Sequence, residues 1–363
     1  TSFVYDLDPA ILHGFKNGSK VSKTLFKSFG GLKAGNSKIL FRLEWEISPE
    51  DLINRKWARI QNGSPFSPYY YSCNLTVRCD KNDFKSVLSI TNSHIANVEH
   101  YFKPGIFYGK RTDWMYGYKG RSGQIPSMEG HLVLPQSYSD FWFSLLVINT
   151  SVYQEIANKL CGQHKYAQYI NPMKLDLSVF PDKSNELKII VNDLESIDRG
   201  SEVSSIFFAP LSLEIWNTNP QAEFLKCIKS AILKREEVVK RANQFRSDYN
   251  AEVEAKIGWK KSNYSAPVYV DYVKLLFQSS DSLRHEASNI VSYLIGVVFG
   301  RWDIRKLKNG LGFYQFENSL SPLPDHSQAK LTNIYSEKSI SQYPLTISLH
   351  GFLVCNMGHP FDI

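Results

Sequence analysis

A chain of 363 residues, 43% hydrophobic and 13% aromatic, is long enough to bury a full core and to divide into two or three domains. No apolar run reaches the roughly 20 residues that a membrane-spanning helix needs, and the start, Thr1-Ser2-Phe3-Val4-Tyr5-Asp6, lacks a basic stretch followed by an apolar one. The expectation is a globular cytoplasmic protein with no membrane partner.

The net charge of +7 is unevenly placed. Residues 14–121 hold 18 Lys and Arg against 8 Asp and Glu, while the rest of the chain holds 24 against 27. A basic portion joined to a near-neutral one is the electrostatic pattern of a polyanion-binding lobe on a support. The five cysteines form no Cys-x-x-Cys pair, which points to reduced thiols and away from a zinc or redox motif. Cys73 and Cys79, six apart in a strand-like stretch, are expected on one side of a sheet.

In chain order, Phe3-Val4-Tyr5 suits a strand whose partners lie elsewhere. Residues 21–46 read as a short amphipathic segment, a Gly-rich turn over 30–37, and a strand over 39–46. Short strands are expected over 71–78, 87–91, 105–108 and 131–134, separated by Gly, Pro, Asn and Asp turns. A helix follows over 139–160, then strand-like runs at 188–191 and 206–208 leading to 211–216. From residue 219 the spacing of Leu225, Ile228, Ile232, Val239, Ala242, Phe245, Tyr249 and Val253 predicts one amphipathic helix of about 35 residues. A second helix is expected over 282–299, ending in a loop-rich tail.

The chemistry of several enzyme classes is missing. No Gly-rich loop follows a first strand to hold S-adenosylmethionine, and no tandem-proline segment is present to receive a flipped amine. The turn over 30–35 precedes its strand and lacks the spacing of a phosphate loop. Glu254-x-Lys256 matches the letters of a nuclease site but falls on a solvated helix face, and His13, His94, His100 and His359 are isolated.

Basic and aromatic residues do interleave. Arg55, Lys56 and Arg59 flank Trp57, with Tyr69 and Tyr70 beyond. Lys103, Lys110, Arg111, Lys119 and Arg121 surround Trp114, Tyr116 and Tyr118. That mixture suits phosphate clamps beside rings that stack near bases, although Trp57 and Tyr101 are better suited to packing a small sheet core.

Several stretches, in order along nearly the whole chain, carry a resemblance. They are Gly31-Leu32-Lys33-Ala34-Gly35-Asn36-Ser37 with Phe41-Arg42, Phe66-Ser67-Pro68-Tyr69-Tyr70, and Tyr101-Phe102-Lys103-Pro104-Gly105 with Lys110-Arg111-Thr112. Beyond these come the apolar run from Val291 through Gly300-Arg301-Trp302-Asp303-Ile304-Arg305, and Gly358-His359-Pro360-Phe361. Together they resemble the C-terminal halves of type IIG restriction-modification enzymes and of the BREX-type adenine-N6 DNA methyltransferases of phage defence.

The resemblance implies an α+β fold: a mixed-sheet target-recognition domain over 14–216, after a residual end of a methyltransferase core over 1–13, and a long helix with a helical C-terminal lobe over 217–363. It implies a chain that recognises double-stranded DNA and is not catalytic alone. The S-adenosylmethionine cofactor would belong to a separate methyltransferase domain or subunit, and none would bind here. The expected DNA contacts are Arg55, Lys56, Arg59, Ser67, Tyr69, Tyr70, Lys103, Lys110, Arg111, Thr112, Lys119 and Arg121, with no catalytic or metal-binding residue. The rival readings are a protein-interaction or inhibitor module derived from such an enzyme, and a metal-dependent nuclease with unrecognised ligands.

Overall fold

The computed structural model describes residues 7–47, 49–63, 68–111, 114–121, 123–200, 208–259 and 282–298. The expected strand at Phe3-Val4-Tyr5, the run at Ile206-Phe207, and the blocks from Phe299 onward lie outside these residues. The described fold is α+β.

Its strands, in chain order, are β1 (Ser19–Lys20), β2 (Phe26–Phe29), β3 (Phe41–Leu43), β4 (Trp57–Gln61), β5 (Tyr69–Tyr70) and β6 (Leu75–Arg78), then β7 (Ile106–Gly109), β8 (Tyr118–Lys119), β9 (Gln124–Pro126), β10 (Gly130–Pro135) and β11 (Lys174–Leu175). Helices of eight or more residues are α1 (Pro9–Asn17), α2 (Phe141–Ile148), α3 (Ser151–Cys161), α4 (Ser184–Arg199), α5 (Leu211–Thr218), α6 (Phe224–Ile257) and α7 (Ser282–Val298).

A five-stranded sheet runs β2-β10-β7-β8-β5 and a four-stranded sheet runs β3-β6-β4-β9, while β1 and β11 form a separate ribbon. Alternation along β7 and β10 gives the larger sheet two apolar faces. Ile106, Tyr108 and Val133 enter the main core, whereas Phe107, Leu132 and Tyr118 form a second cluster with Tyr71 and Leu134, as the period of two requires. The smaller sheet turns Ala58, Ile60, Val77 and Ile125 into a separate core with Phe84 and Tyr101. The same period sends Arg59, Thr76 and Gln124, paired across β4, β6 and β9, to its other face, which is buried yet polar.

The long helix is present as the spacing predicts. Cys227, Ala231, Arg235, Val238, Ala242, Phe245, Tyr249 and Val253 form its buried stripe, and the left-handed Gly258 (φ 72°) closes it. Leu225, expected on that stripe, is exposed. From Ala231 to Val253 the apolar residues of the stripe join the core that also holds Leu7, Ile11, Ile106 and Leu145. One core therefore crosses both positions, 13/14 and 216/217, at which the sequence reading divides the chain.

Other expectations need correction. The helix expected over 139–160 is two helices, because the Asn149 side chain bonds both the N–H and the C=O of Gly117 and Thr150 caps α3 by accepting from Tyr153. The strand-like run at 188–191 belongs to α4, where Leu187, Ile190, Val191, Leu194 and Ile197 are buried at helical spacing and Ile189 is exposed. Residues 211–216 lie in α5. In the expected strand at 87–91, the helical turn Lys85–Leu88 occupies the first positions. The strand expected over 39–46 shrinks to β3, since Asn36 caps a helical turn over Ser37–Leu40 by accepting from the Lys38 amide. The Gly-rich turn before it serves close packing: a Cβ on Gly31 would collide with the Pro126 carbonyl, and one on Gly35 with that of Thr91.

The C-terminal helices are tied by a buried ion pair. Glu286 of α7 accepts from Arg235 of α6 and from Ser212 of α5, and Arg235 also donates to the Gly200 carbonyl. Both charged side chains are almost fully buried, so breaking the pair leaves an uncompensated charge. Arg235→Ala is expected to lower unfolding stability by about 3–5 kcal/mol, measured by urea denaturation. A loss below about 1 kcal/mol would show that water reaches Glu286.

Candidate nucleic-acid interface

The structure separates the expected contact residues into inward and outward groups. Arg59 is buried and ion-paired with Glu44, which also takes Arg121 Nη1 at 2.9 Å. Arg121 reaches Asn74 at 3.0 Å as well. Burial alone would raise the Glu44 carboxyl, but the Arg121 and Arg59 charges outweigh it and hold that carboxyl below its ordinary value.

Lys110 is buried with its ammonium 3.0 Å from Glu129 and over the Tyr166 ring. Arg111, although exposed, reaches the other Glu129 oxygen at 3.3 Å. Lys119 pairs with Glu195 of α4 at 2.8 Å, and Lys56 with Asp51 at 2.8 Å. Of the eight expected cations, these six have carboxylate partners.

The expected rings also turn inward. Tyr69 is buried against Phe245 of the long helix, and the Tyr70 hydroxyl donates to Asp198 at 3.1 Å. Tyr116 lies beneath Arg246 of the same helix, while Tyr118 is fully buried. Tyr101 packs edge-on to Phe84. Ser67 and Thr112 lie outside the described residues.

Arg55 and Lys103 are the expected cations that stay exposed without a carboxylate among the described residues, and they meet other groups that sequence reasoning missed. The Arg55 guanidinium lies 4.6 Å from the centre of the Phe102 ring. Two residues earlier, His100 sits on Phe29 with ring centres 3.8 Å apart, and the Lys27 ammonium lies over the Phe29 ring at 5.4 Å. Burial, and then the charges of Lys103 and Lys27 working against Glu99, hold His100 below its ordinary value.

Segment 100–103 thus links Lys27 and Phe29 to Phe102 and Arg55 along one strip, with Lys81 beside it through an N–H bond to the Arg55 carbonyl. The available signal was the alternation in Phe26-Lys27-Ser28-Phe29, which puts Lys27 and Phe29 on one face.

Among the described residues, no group of three or more His, Cys, Asp or Glu is placed to hold a metal ion. The four described cysteines are free thiols, three of them buried; Cys73 and Cys79 donate to different carbonyls, those of Ile60 and Arg55. Glu254, the acid of the Glu-x-Lys match, accepts from Ser151 at the start of α3. No described helix is long and apolar enough to cross a membrane.

No protein-family model matches the chain, and a search of curated proteins returns no match.

Beside Lys110, a buried polar relay crosses the large sheet. The Tyr108 hydroxyl lies 2.7 Å from Ser28 Oγ and 3.1 Å from His131 Nδ1. Burial and then the Lys110 charge push His131 down to about 4 from 6.5. A histidine depressed on folding favours the native state above the unfolded value and loses that contribution as pH falls. Stability is therefore expected to drop on the order of 3 kcal/mol between pH 6.5 and about 4, and His131→Gln should flatten that interval in urea melts taken across it. An unchanged profile in the variant would assign the loss to other groups.

Proposed function

We propose that this chain is the double-stranded-DNA recognition part of an adenine-specific DNA methyltransferase of the restriction-modification or phage-defence kind, not catalytic by itself. S-adenosylmethionine chemistry would come from a separate methyltransferase domain or subunit. The observation that carries the reading is the strip in which the exposed cations Lys27, Lys103 and Arg55 border the half-buried rings Phe29, His100 and Phe102, a combination of charges for phosphates with ring edges and a guanidinium for bases. The surplus of positive charge over residues 14–121 and the ordered blocks of family resemblance support it.

The paired cations have a different part in this reading. Arg59, Lys110 and Arg121 shape the lobe from within, Lys119 fastens it to α4, and the contact surface is formed by the strip.

A protein-interaction role draws on one further observation. Helix α7 buries Glu286 and Asn289 while exposing Leu283, Val291 and Leu294, an arrangement suited to a protein partner on its outer side. A stoichiometric protein complex without DNA affinity would favour that role alone.

The test of DNA recognition is fluorescence anisotropy with duplex DNA over a salt series. If about six phosphates are neutralised, affinity should fall roughly a thousandfold or more between 50 and 200 mM salt. Lys27→Glu with Lys103→Glu should weaken binding and reduce the slope by about two. A flat salt response, or a double variant that binds as the parent does, would refute the reading.

A further inference from the structure

Left-handed backbone is concentrated at one rim of the smaller sheet. Arg55 (φ 52°), Asp80 (47°), Lys81 (59°), Asn82 (80°), Phe84 (55°) and Phe102 (64°) all adopt it. Asn and Asp tolerate this conformation, but Arg, Lys and Phe have no local hydrogen bond to offset the Cβ crowding. Such a conformation persists where surrounding contacts over-determine it.

Those contacts are present. The Arg55 carbonyl accepts from the Lys81 amide at 2.7 Å, and the Lys56 carbonyl accepts from the amides of Cys79 at 2.8 Å and Asp80 at 3.1 Å. The Asp80 carboxylate takes the Ser86 amide at 2.7 Å and Arg78 Nε at 2.8 Å. The turn that carries Arg55 is thereby fixed to the segment after β6.

What this backbone presents is a guanidinium laid over the Phe102 ring. Arg59, Arg78, Arg111 and Arg121 each meet a carboxylate. Arg55 meets none among the described residues and is exposed. Stacking on a ring orients the guanidinium plane while leaving its in-plane N–H groups available. A phosphate contact needs only a positive charge within reach, which Lys103 and Lys81 already offer nearby. A fixed plane with two parallel donors matches O6 and N7 of guanine on the major-groove edge.

We propose that Arg55, placed over the Phe102 ring by the left-handed turns around it, reads a guanine in the DNA target by donating to O6 and N7, so that it sets sequence preference and not general affinity. This rests on the DNA-recognition reading above, and its test separates the two.

The full chain and its Arg55→Gln, Arg55→Lys and Phe102→Leu variants are each used to select duplexes from a random library. Affinities are then measured on the parent's preferred site and on copies with each guanine replaced, at several salt concentrations. The parent should prefer one particular guanine by roughly ten- to a hundredfold. Arg55→Gln should erase that preference while the slope of log affinity against log salt stays unchanged. Arg55→Lys should lose the preference too, although it keeps the charge, and Phe102→Leu should weaken it while retaining the apolar contact beneath. The inference is overturned if Arg55→Gln weakens every duplex alike and lowers the salt slope by about one, the signature of a phosphate contact, or if the selected sequence is the same in all variants. A parent chain that binds no duplex at all overturns this inference together with the reading it rests on, whereas salt-sensitive binding with an unaltered sequence preference overturns this inference alone.

Discussion

Two guanidinium groups converge on the Glu44 carboxylate, and the relation between the two sheets depends on that meeting. Glu44 follows β3 of the smaller sheet, Arg59 belongs to β4 of the same sheet, and Arg121 lies on the connection from β8 of the larger sheet to β9 of the smaller. Glu44 and Arg59 are withdrawn from water and Arg121 largely so. Charges removed from water are tolerated only when their partners are in place, so the cluster locks the passage of the chain from one sheet to the other. Gln61 and Gln124 extend it with a side-chain bond of 2.9 Å across the parallel pair β4 and β9.

The same economy of charge decides which surface is left to act on other molecules. Glu129 holds Lys110 and Arg111, and Glu195 holds Lys119 against α4. The long helix contributes Phe245 against Tyr69 and Arg246 over Tyr116, which draws into the interior the rings that a linear reading places beside DNA. The basic strip is part of the cationic surface that remains once these internal pairings are made, together with exposed lysines such as Lys20, Lys23, Lys33 and Lys38. It lies where the edge of the larger sheet meets the segment that covers the core of the smaller one.

The apolar pattern was legible both in a half-buried helix and in strands covered on both faces. The stripe from Val238 to Val253 reads as a helix at once, and the short apolar runs at 105–108 and 131–134, bounded by turn residues, read as strands. It misled at 188–191, where Ile189 breaks the helical stripe by being apolar and exposed. It also misled across 139–160, where nothing local announces that Asn149 turns aside to bond Gly117.

The site was legible as composition and illegible as geometry. The surplus of cations is visible in the letters, but Arg121 finds Glu44 across 77 residues and Lys119 finds Glu195 across 76. No local pattern encodes such pairings. His100, isolated from other histidines along the chain, meets Phe29 and Lys27 only because β2 lies against it.

The outer margin of the larger sheet has its own safeguard. Strand β2 is the last in its sheet, yet the Asn171 amide accepts from the Ser28 N–H at 2.7 Å and donates to the Ser28 C=O at 3.0 Å. One side chain thereby stands in for a neighbouring strand at the middle of that margin. Bare margins invite β-pairing between molecules, so this amide protects the protein against self-association at the flank that carries the exposed Lys27.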